Sequence, residues 1–424
     1  MKKVAVLGLG YVGLPTLTAL AKSGKYEVIG FDINESKVEL IKNGGCPIDD
    51  DLCAKELKEF KYTVTRDPKD IADATVYFVC VPTPVLDDYT PDYGPVLSAT
   101  STIAPLLKKG DIFILESTVN PGTNEEVVKP KIEELSKLKV GEDITLAHCP
   151  ERINPGDPKW NIYNISRNLG VYPFEKAEEV AEIFRSFLEA ELNICSSLKV
   201  AESTKIVENT FRDVNIAFVN ELAQSFDKMG IDLIETIRGA SNKPFGFMPF
   251  WPGRGVGGHC IAVDPYYLIK RAEVSGFNHR FLKTARDINN NMPIYSVIRL
   301  QDALNEVALP LKGTKIATLG MSYKPNVGDL RESPSIEIKD ILLAKGADLR
   351  IYDPWDKSLN TVESLDEAID GADAVAVLTA HDVFSQDLQK ILDSGSIKVF
   401  FDGMNKFDKD EITKKGLVYR GIGR

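Results

Sequence analysis

Along residues 2–33, KKVAVLGLGYVGLPTLTALAKSGKYEVIGFDI, the apolar positions fall into two short continuous runs separated by a glycine-rich turn and an apolar-rich segment of helical length. The pattern predicts strand, turn, helix from about Val12, and a second strand ending at Asp32. ATVYFVCVPTP, DIFILESTVNPGT and DITLAHCPE repeat the theme, each a short apolar run closing in polar or Pro/Gly residues. Such runs fit strands of an open parallel sheet with both faces covered.

From about Lys199 the period changes. In LKVAESTKIVENTFRDVNIAFVNELAQSFDKMG, Val200, Thr204, Val207, Phe211, Val214, Phe218 and Leu222 recur three or four apart, marking one face of a long helix that stops at Gly230. Thirty helical residues reach roughly 45 Å, so this element is expected to connect domains and to support a subunit interface. Lys205 and Asn209 lie four apart, on one face and off the apolar stripe. After Pro310, KGTKIATLGMSYKPNVGDLRESPSIEIKDILLAKGADLRIYDP opens a second strand–loop–helix–strand unit, continued by ADAVAVLTAH and IKVFFDG. The expected fold is α/β: a Rossmann-like domain over 1–198, a central helical domain over 199–309 and a second Rossmann-like domain over 310–424.

Composition narrows the function. The chain has 424 residues, 43% hydrophobic and 27% charged, with a net charge of −11. Nucleic acid and acidic membranes need a basic field, so neither is an expected partner, and any anionic ligand must be held by local groups. No apolar run nears the ~20 residues that span a bilayer, and the N-terminus enters a strand pattern directly, so a cytoplasmic protein is expected. The six cysteines show no CxxC pairing, which argues against disulfides and a structural zinc.

The first turn carries GxGxxG, with Gly8 for the tight turn, Gly10 for close approach to a pyrophosphate and Gly13 for helix–sheet packing; Asp32 follows 19 residues after Gly13. An acid there accepts ribose hydroxyls and repels a 2′-phosphate, so the expected cofactor is NAD rather than NADP. Tyr11 and Val12 within the turn and Lys37 beyond Asp32 complete the local cofactor candidates. Thr83, Thr118 and Glu151 fall at the carboxyl ends of strands, where ligands of such sheets bind.

The loop GRGVGGHCIAVD, residues 253–264, surrounds Cys260 with glycines and places Asp264 four positions later. NAD together with one framed cysteine points to oxidation of an aldehyde through a thioester, because a thiohemiacetal passes hydride readily and a free aldehyde does not. Lys205 and Asn209 suit the oxyanions on that path. Asp264 and Glu151 are the carboxylates available to activate water. His259 is read as a substrate contact or a structural residue, since adjacent loop residues usually point different ways.

Six ordered blocks, GLGYVGLP, ESTVNPGT, PERINPGD, KIVENTFRDVNIAFVNE, GVGGHCIAVDPYYL and SYKPNVGDLRESPS, closely resemble the nucleotide-sugar 6-dehydrogenases over essentially the whole chain. The resemblance implies four-electron oxidation of the sixth carbon of a UDP-sugar with two NAD, the N-terminal domain holding NAD and the C-terminal domain the nucleotide. It implies Cys260 as nucleophile, Lys205 and Asn209 as oxyanion stabilisers, Asp264 as the group that activates water, and Glu151 and Thr118 beside the reacting carbon. It further implies Lys324 as a substrate contact and Arg331 as an NAD contact; Arg152, Arg254, Gly257 and His259 complete the substrate candidates. A homodimer or higher homo-oligomer is expected.

GGHC followed by DPYYL resembles the branch acting on UDP-N-acetylhexosamines, whereas UDP-glucose dehydrogenases carry a GGSC-like loop. UDP-N-acetylglucosamine and UDP-N-acetylmannosamine stand level, with the galacto epimer behind and UDP-glucose as the alternative branch. Arg254 departs from the branch pattern, which often has proline there, as does Met404, where an arginine is usual. Outside the family, a two-electron alcohol dehydrogenase gives Cys260 no role, and an NAD-binding redox sensor gives none to Lys205 and Asn209.

Overall fold

The computed structural model describes residues 1–86, 88–153 and 159–424. The chain divides into two compact units, Met1–Glu208 with Tyr266–Gly276, and Asn209–Pro265 with Phe277–Arg424.

In the first unit β1 (Lys2–Leu7), β2 (Tyr26–Phe31), β3 (Thr63–Thr65), β4 (Val76–Val79), β5 (Ile112–Leu115), β6 (Thr145–His148), β7 (Arg167–Tyr172) and β8 (Leu192–Ile194) form one sheet in the order β3-β2-β1-β4-β5-β6-β7-β8. The pairs are parallel except β6 with β7. Alternate residues enter opposite cores: Val4, Val6, Phe78 and Ile114 pack on one face, Leu7, Tyr77, Val79 and Phe113 on the other. Burial on both faces explains why these strands read as unbroken apolar runs rather than alternating ones. The extra strands β3, β7 and β8 give no such signal, being three residues long or, in RNLGVY, interrupted by charge and glycine.

In the second unit β9 (Lys315–Leu319), β10 (Asp348–Tyr352), β11 (Ala374–Val377), β12 (Val399–Asp402) and β13 (Val418–Gly421) form a wholly parallel sheet, β10-β9-β11-β12-β13. Both sheets open with the same device. Gly8 adopts φ +87° and a Cβ there would meet the Cys80 carbonyl oxygen at 2.8 Å; Gly320 adopts φ +82° with the Thr379 oxygen at 2.2 Å. The amide after each glycine donates to the acid that follows the second strand, Leu9 to Asp32 at 2.9 Å and Met321 to Asp353 at 2.7 Å. The acids differ in what else holds them. Asp353 is fully buried and also accepts from Ser322, Trp355, Asp356 and His381. The His381 Nδ1 accepts from the Asn326 amide, which puts the ring proton on Nε2, facing Asp353. Burial pushes the Asp353 carboxyl up, but His381 and the Ser322 and Met321 amides outweigh it and hold the group below the usual carboxylate range.

The long helix spans Leu198–Met229 and stops at Gly230, whose φ of +69° is left-handed. Its apolar stripe faces outward: Val207 is 56% exposed, Phe211 48% and Phe218 54%. The inward side mixes apolar residues, Ile206, Ala217, Val219 and Ala223, with buried polar ones, Asn209, Asp213 and Asn220. Within the second unit Asp213 pairs with Arg286 at 2.6 Å and accepts from Asn289 at 2.8 Å, while Asn220 donates to Asn289 at 2.9 Å. These partners lie on the Arg280–Glu306 helix, so a hydrogen-bonded seam runs beside the apolar contact that Val219 and Ala223 make with the core containing Met292 and Leu300.

Candidate active site

In the first unit the cofactor turn has the shape its glycines require. A Cβ on Gly13 would lie 2.0 Å from the Gly8 carbonyl oxygen, whereas Gly10 has nothing within 4 Å, leaving room for a pyrophosphate at the start of the Gly13–Ser23 helix. Val12 is the N-cap residue, and Tyr11 is 37% exposed. Asp32 Oδ1 accepts from the Asn34 amide, and its Oδ2 is shared by the Leu9 amide and the Lys37 ammonium at 3.0 Å. These residues fit NAD: open backbone for the phosphates and an acid at the ribose position.

Thr83, Thr118 and Glu151 follow the neighbouring strands β4, β5 and β6. The Thr83 hydroxyl donates to the Thr118 carbonyl at 2.7 Å, and its own carbonyl accepts from the Tyr267 hydroxyl. Glu151 is buried, and its Oε1 accepts from the Arg152 and Ile153 amides at 2.7 and 2.9 Å. Its Oε2 meets Arg167, which bonds Glu116 at 2.8 Å on its other side. Thr16 and Cys80 in turn donate to Glu116. Burial raises the Glu116 carboxyl against the opposing pull of Arg167. Arg152 is engaged by Glu208 at 2.6 Å and by the Ser166 carbonyl at 2.7 Å. The second half of the PERINPGD block, residues 154–157, lies outside the described residues.

Three residues of this unit are not among the site candidates read from the sequence, although Glu116 opens the ESTVNPGT block. Arg167 opens an unread strand, and its burial between two carboxylates is visible only in three dimensions. Glu116 has a weak signal, an acid set directly after an apolar run. Glu202, on the long helix, accepts from the Gly122 and Asn124 amides and from the Asn124 side chain, fixing the NPGT turn after Thr118. Burial raises its pKa to about 7. Lys205, three residues on, makes neither ion pair nor hydrogen bond through its side chain among the described residues.

In the second unit the glycine loop is pressed backbone-first onto the 321–335 segment. A Cβ on Gly257 would meet the Glu332 oxygen at 2.6 Å and Tyr323 Cβ at 2.8 Å; one on Gly258, at φ +83°, would meet the Tyr323 ring at 2.7 Å. The loop is tied at its start by the Gly253 amide to Asn220 Oδ1, 3.0 Å, and further on by the Gly258 amide to the Arg331 carbonyl, 3.1 Å. It leaves Cys260 exposed. The Cys260 carbonyl accepts from the Asp264 amide at 2.8 Å, and Asp264 begins the Asp264–Val274 helix, a favourable place for a carboxylate. Asp264 is buried and accepts from Asn209 Nδ2 at 2.5 Å.

Arg331 bonds Asp329 through Nε and Nη2, and Asp329 with, to a smaller degree, Cys260 holds its pKa above the usual value. Burial, then the Arg331 cation, lowers the His259 pKa, with Asp329 opposing them. Lys324 lies in the same 321–335 segment. Arg254 is buried, with its Nε on Ser335 and its Nη2 on the Ser322 and Tyr323 carbonyls and the Thr379 hydroxyl. The structure thus joins Asn209, Asp264 and the Cys260 loop in one unit; Thr83 with Thr118, and Glu151 with Arg152, belong to the other.

No helix among the described residues is long and apolar enough to cross a membrane, and none of their His, Cys, Asp and Glu side chains group as a metal site. Residues 2–188 match the NAD binding domain of the UDP-glucose/GDP-mannose dehydrogenase family, 199–291 its central domain and 317–409 its UDP binding domain. A UDP-N-acetyl-D-glucosamine 6-dehydrogenase from Pseudomonas aeruginosa is 40% identical over 356 residues, 83% of each chain. A UDP-N-acetyl-D-mannosamine dehydrogenase from Methanococcus maripaludis strain C7 is 35% identical, covering 100% of this chain and 97% of its own. The structure of a UDP-D-ManNAc dehydrogenase from Pyrococcus horikoshii superposes with a TM-score of 0.92 at 34% identity, covering 100% of this chain and 99% of the other. With all three domains matched in order, the chain belongs to the UDP-glucose/GDP-mannose dehydrogenase family and is an NAD-dependent oxidoreductase.

Proposed function

We propose that the protein oxidises the 6-hydroxymethyl group of a UDP-N-acetylhexosamine, of gluco or manno configuration, to the uronate through a thioester on Cys260. The observation that carries this reading is the exposed Cys260 four residues before a buried Asp264 that is itself held by Asn209. The names of the relatives support the acetamido sugar.

NAD, when bound, accepts one hydride in each of two oxidations. The alcohol loses hydride and a proton to give the aldehyde. The Cys260 thiolate adds to that carbonyl, and loss of a second hydride leaves a thioester. Water, deprotonated with the help of Asp264, cleaves the C–S bond and releases the acid and the thiolate. Lys205 supplies a cation and Asn209 an amide N–H to the oxyanions of addition and hydrolysis. Glu151 and Thr118 border the reacting carbon. Gly8, Gly10, Tyr11, Val12, Gly13, Asp32, Lys37, Thr83, Thr118 and Arg331 serve NAD, and Arg152, Arg254, Gly257, His259 and Lys324 serve the UDP-sugar. In this reading residues 1–198 hold NAD, 199–309 carry the cysteine loop and the association surface, and 310–424 hold the nucleotide. The outward apolar stripe of the long helix supports a homodimer or higher homo-oligomer, and a biosynthetic role on nucleotide sugars supports a cytoplasmic location.

The test is NADH release from UDP-glucose and the three UDP-N-acetylhexosamines side by side. A site that hydrogen-bonds the acetamido group rejects the analogue lacking it by as much as ~10⁴. We expect two NADH per sugar and a large preference for an acetamido sugar. UDP-glucose as the best substrate would overturn the substrate class, and one NADH per sugar would overturn the two-step oxidation.

A further inference from the structure

Three arginines are buried near functional segments, and two of them have acids: Arg167 has Glu116 and Glu151, and Arg286 has Asp213. Arg254, 3% exposed, has none among the described residues. Its partners are all neutral oxygens: Ser335 Oγ at 2.9 Å, the Ser322 carbonyl at 3.1 Å, the Tyr323 carbonyl at 3.3 Å and Thr379 Oγ1 at 2.7 Å. These take up Nε and Nη2 and leave Nη1 without an acceptor among the described residues. Burying a guanidinium without a counter-charge is costly, and neutral hydrogen bonds offset only part of the cost. Burial alone pushes the Arg254 pKa down to about 9, with no carboxylate opposing it.

The cation's position is equally informative. Ser322 and Tyr323 follow β9, and Thr379 follows β11. These two strands are neighbours, while the chain passes from β9 outward to β10 before returning to β11 on the other side. That is a topological switch point, and ligands of open α/β sheets bind outside the carboxyl ends of strands there. Ser335 stands in the first turn of the Pro334–Ala344 helix, whose positive end adds to the field. Asp353, the acid after the second strand of this sheet, is saturated by its own neighbours and offers no place for a ribose.

We infer that Arg254 is the counter-charge for the diphosphate of the nucleotide sugar, supplied to the second sheet by the cysteine loop rather than by the sheet's own connections. This rests on, and deepens, the UDP-sugar reading. Because Arg254 lies six residues before Cys260, engagement of the diphosphate also fixes the segment that carries the nucleophile.

The test is calorimetric titration of the full-length protein and its Arg254→Met and Arg254→Lys variants with UDP, uridine, inorganic pyrophosphate and NADH. A hydrogen-bonded charge pair lost from the site should weaken UDP by roughly 10- to 100-fold in Arg254→Met, with uridine and NADH held within about twofold. Arg254→Lys should recover part of the loss, and pyrophosphate should compete with UDP in the native protein but not in Arg254→Met. Equal losses for UDP and uridine, with NADH binding intact, would make Arg254 a structural staple and overturn the inference, as would unchanged UDP affinity. Arg254-dependent pyrophosphate binding in a protein that oxidises no UDP-sugar would sustain the anion site and overturn the proposed function.

Discussion

Asn209 donates its side-chain N–H to Asp264 at 2.5 Å, so an amide from the long helix holds the carboxylate that begins the next helix after Cys260. One N–H of Asn209 is thereby committed, and the other remains for an oxyanion. Asp264→Asn should stall hydrolysis: two NADH appear per subunit in a burst, and a covalent adduct on Cys260 is seen by intact mass. Cys260→Ser should show no adduct and no second hydride. Asn209→Ala should lower kcat by ~10²–10³, the usual loss for one oxyanion donor. Wild-type turnover in Asp264→Asn would remove that residue from the hydrolytic step.

Asp32 does two things at once, holding the Leu9 amide of the turn and neutralising Lys37. Asp32→Ala removes the repulsion toward a 2′-phosphate and frees the ammonium beside it. The ratio of kcat/KM for NAD over NADP should fall by roughly tenfold or more, a change of at least ~1.4 kcal/mol in relative binding, and Lys37→Ala added to it should remove the gain toward NADP. An unchanged ratio would mean that Asp32 does not meet the ribose.

Glu202 gives a pH signature. Burial raises its pKa from the ordinary 4.5 to about 7, so between these the native state binds more proton than the unfolded state, and stability falls as pH rises through the window. The loss reaches up to about 3 kcal/mol once pH passes 7. Urea midpoints at pH 5 and 7.5 should therefore differ less in Glu202→Gln than in the native protein. Identical pH slopes would show that Glu202 is already ionised in the fold.

What the sequence made legible was local. The turn at Gly8, Gly10 and Gly13 and the acid at Asp32 lie within one strand–helix–strand unit, so spacing alone reveals them. The long helix was legible as a helix, but not which side of it faces the protein. Phe211 and Phe218 lie outward while Asp213 and Asn220 are buried, because their partners Arg286 and Asn289 arrive from some seventy residues away. Arg167 and Glu202 were hidden for the same reason: their importance comes from burial beside groups distant in the chain. The loop glycines were legible as a signal and only partly as a cause. Gly257 and Gly258 make room for Tyr323 and Glu332, not only for a ligand.

The shared opening device of the two sheets bears on how the protein can be re-engineered. An acid at the end of a second strand is an address for a nucleoside only while it has capacity left, and Asp353 has been walled in by Ser322, Trp355, Asp356 and His381. Grafting a glycine fingerprint onto the 320–335 loop would therefore not create a second dinucleotide pocket. The histidine lock would have to be dismantled first, to give Asp353 the capacity that a ribose requires.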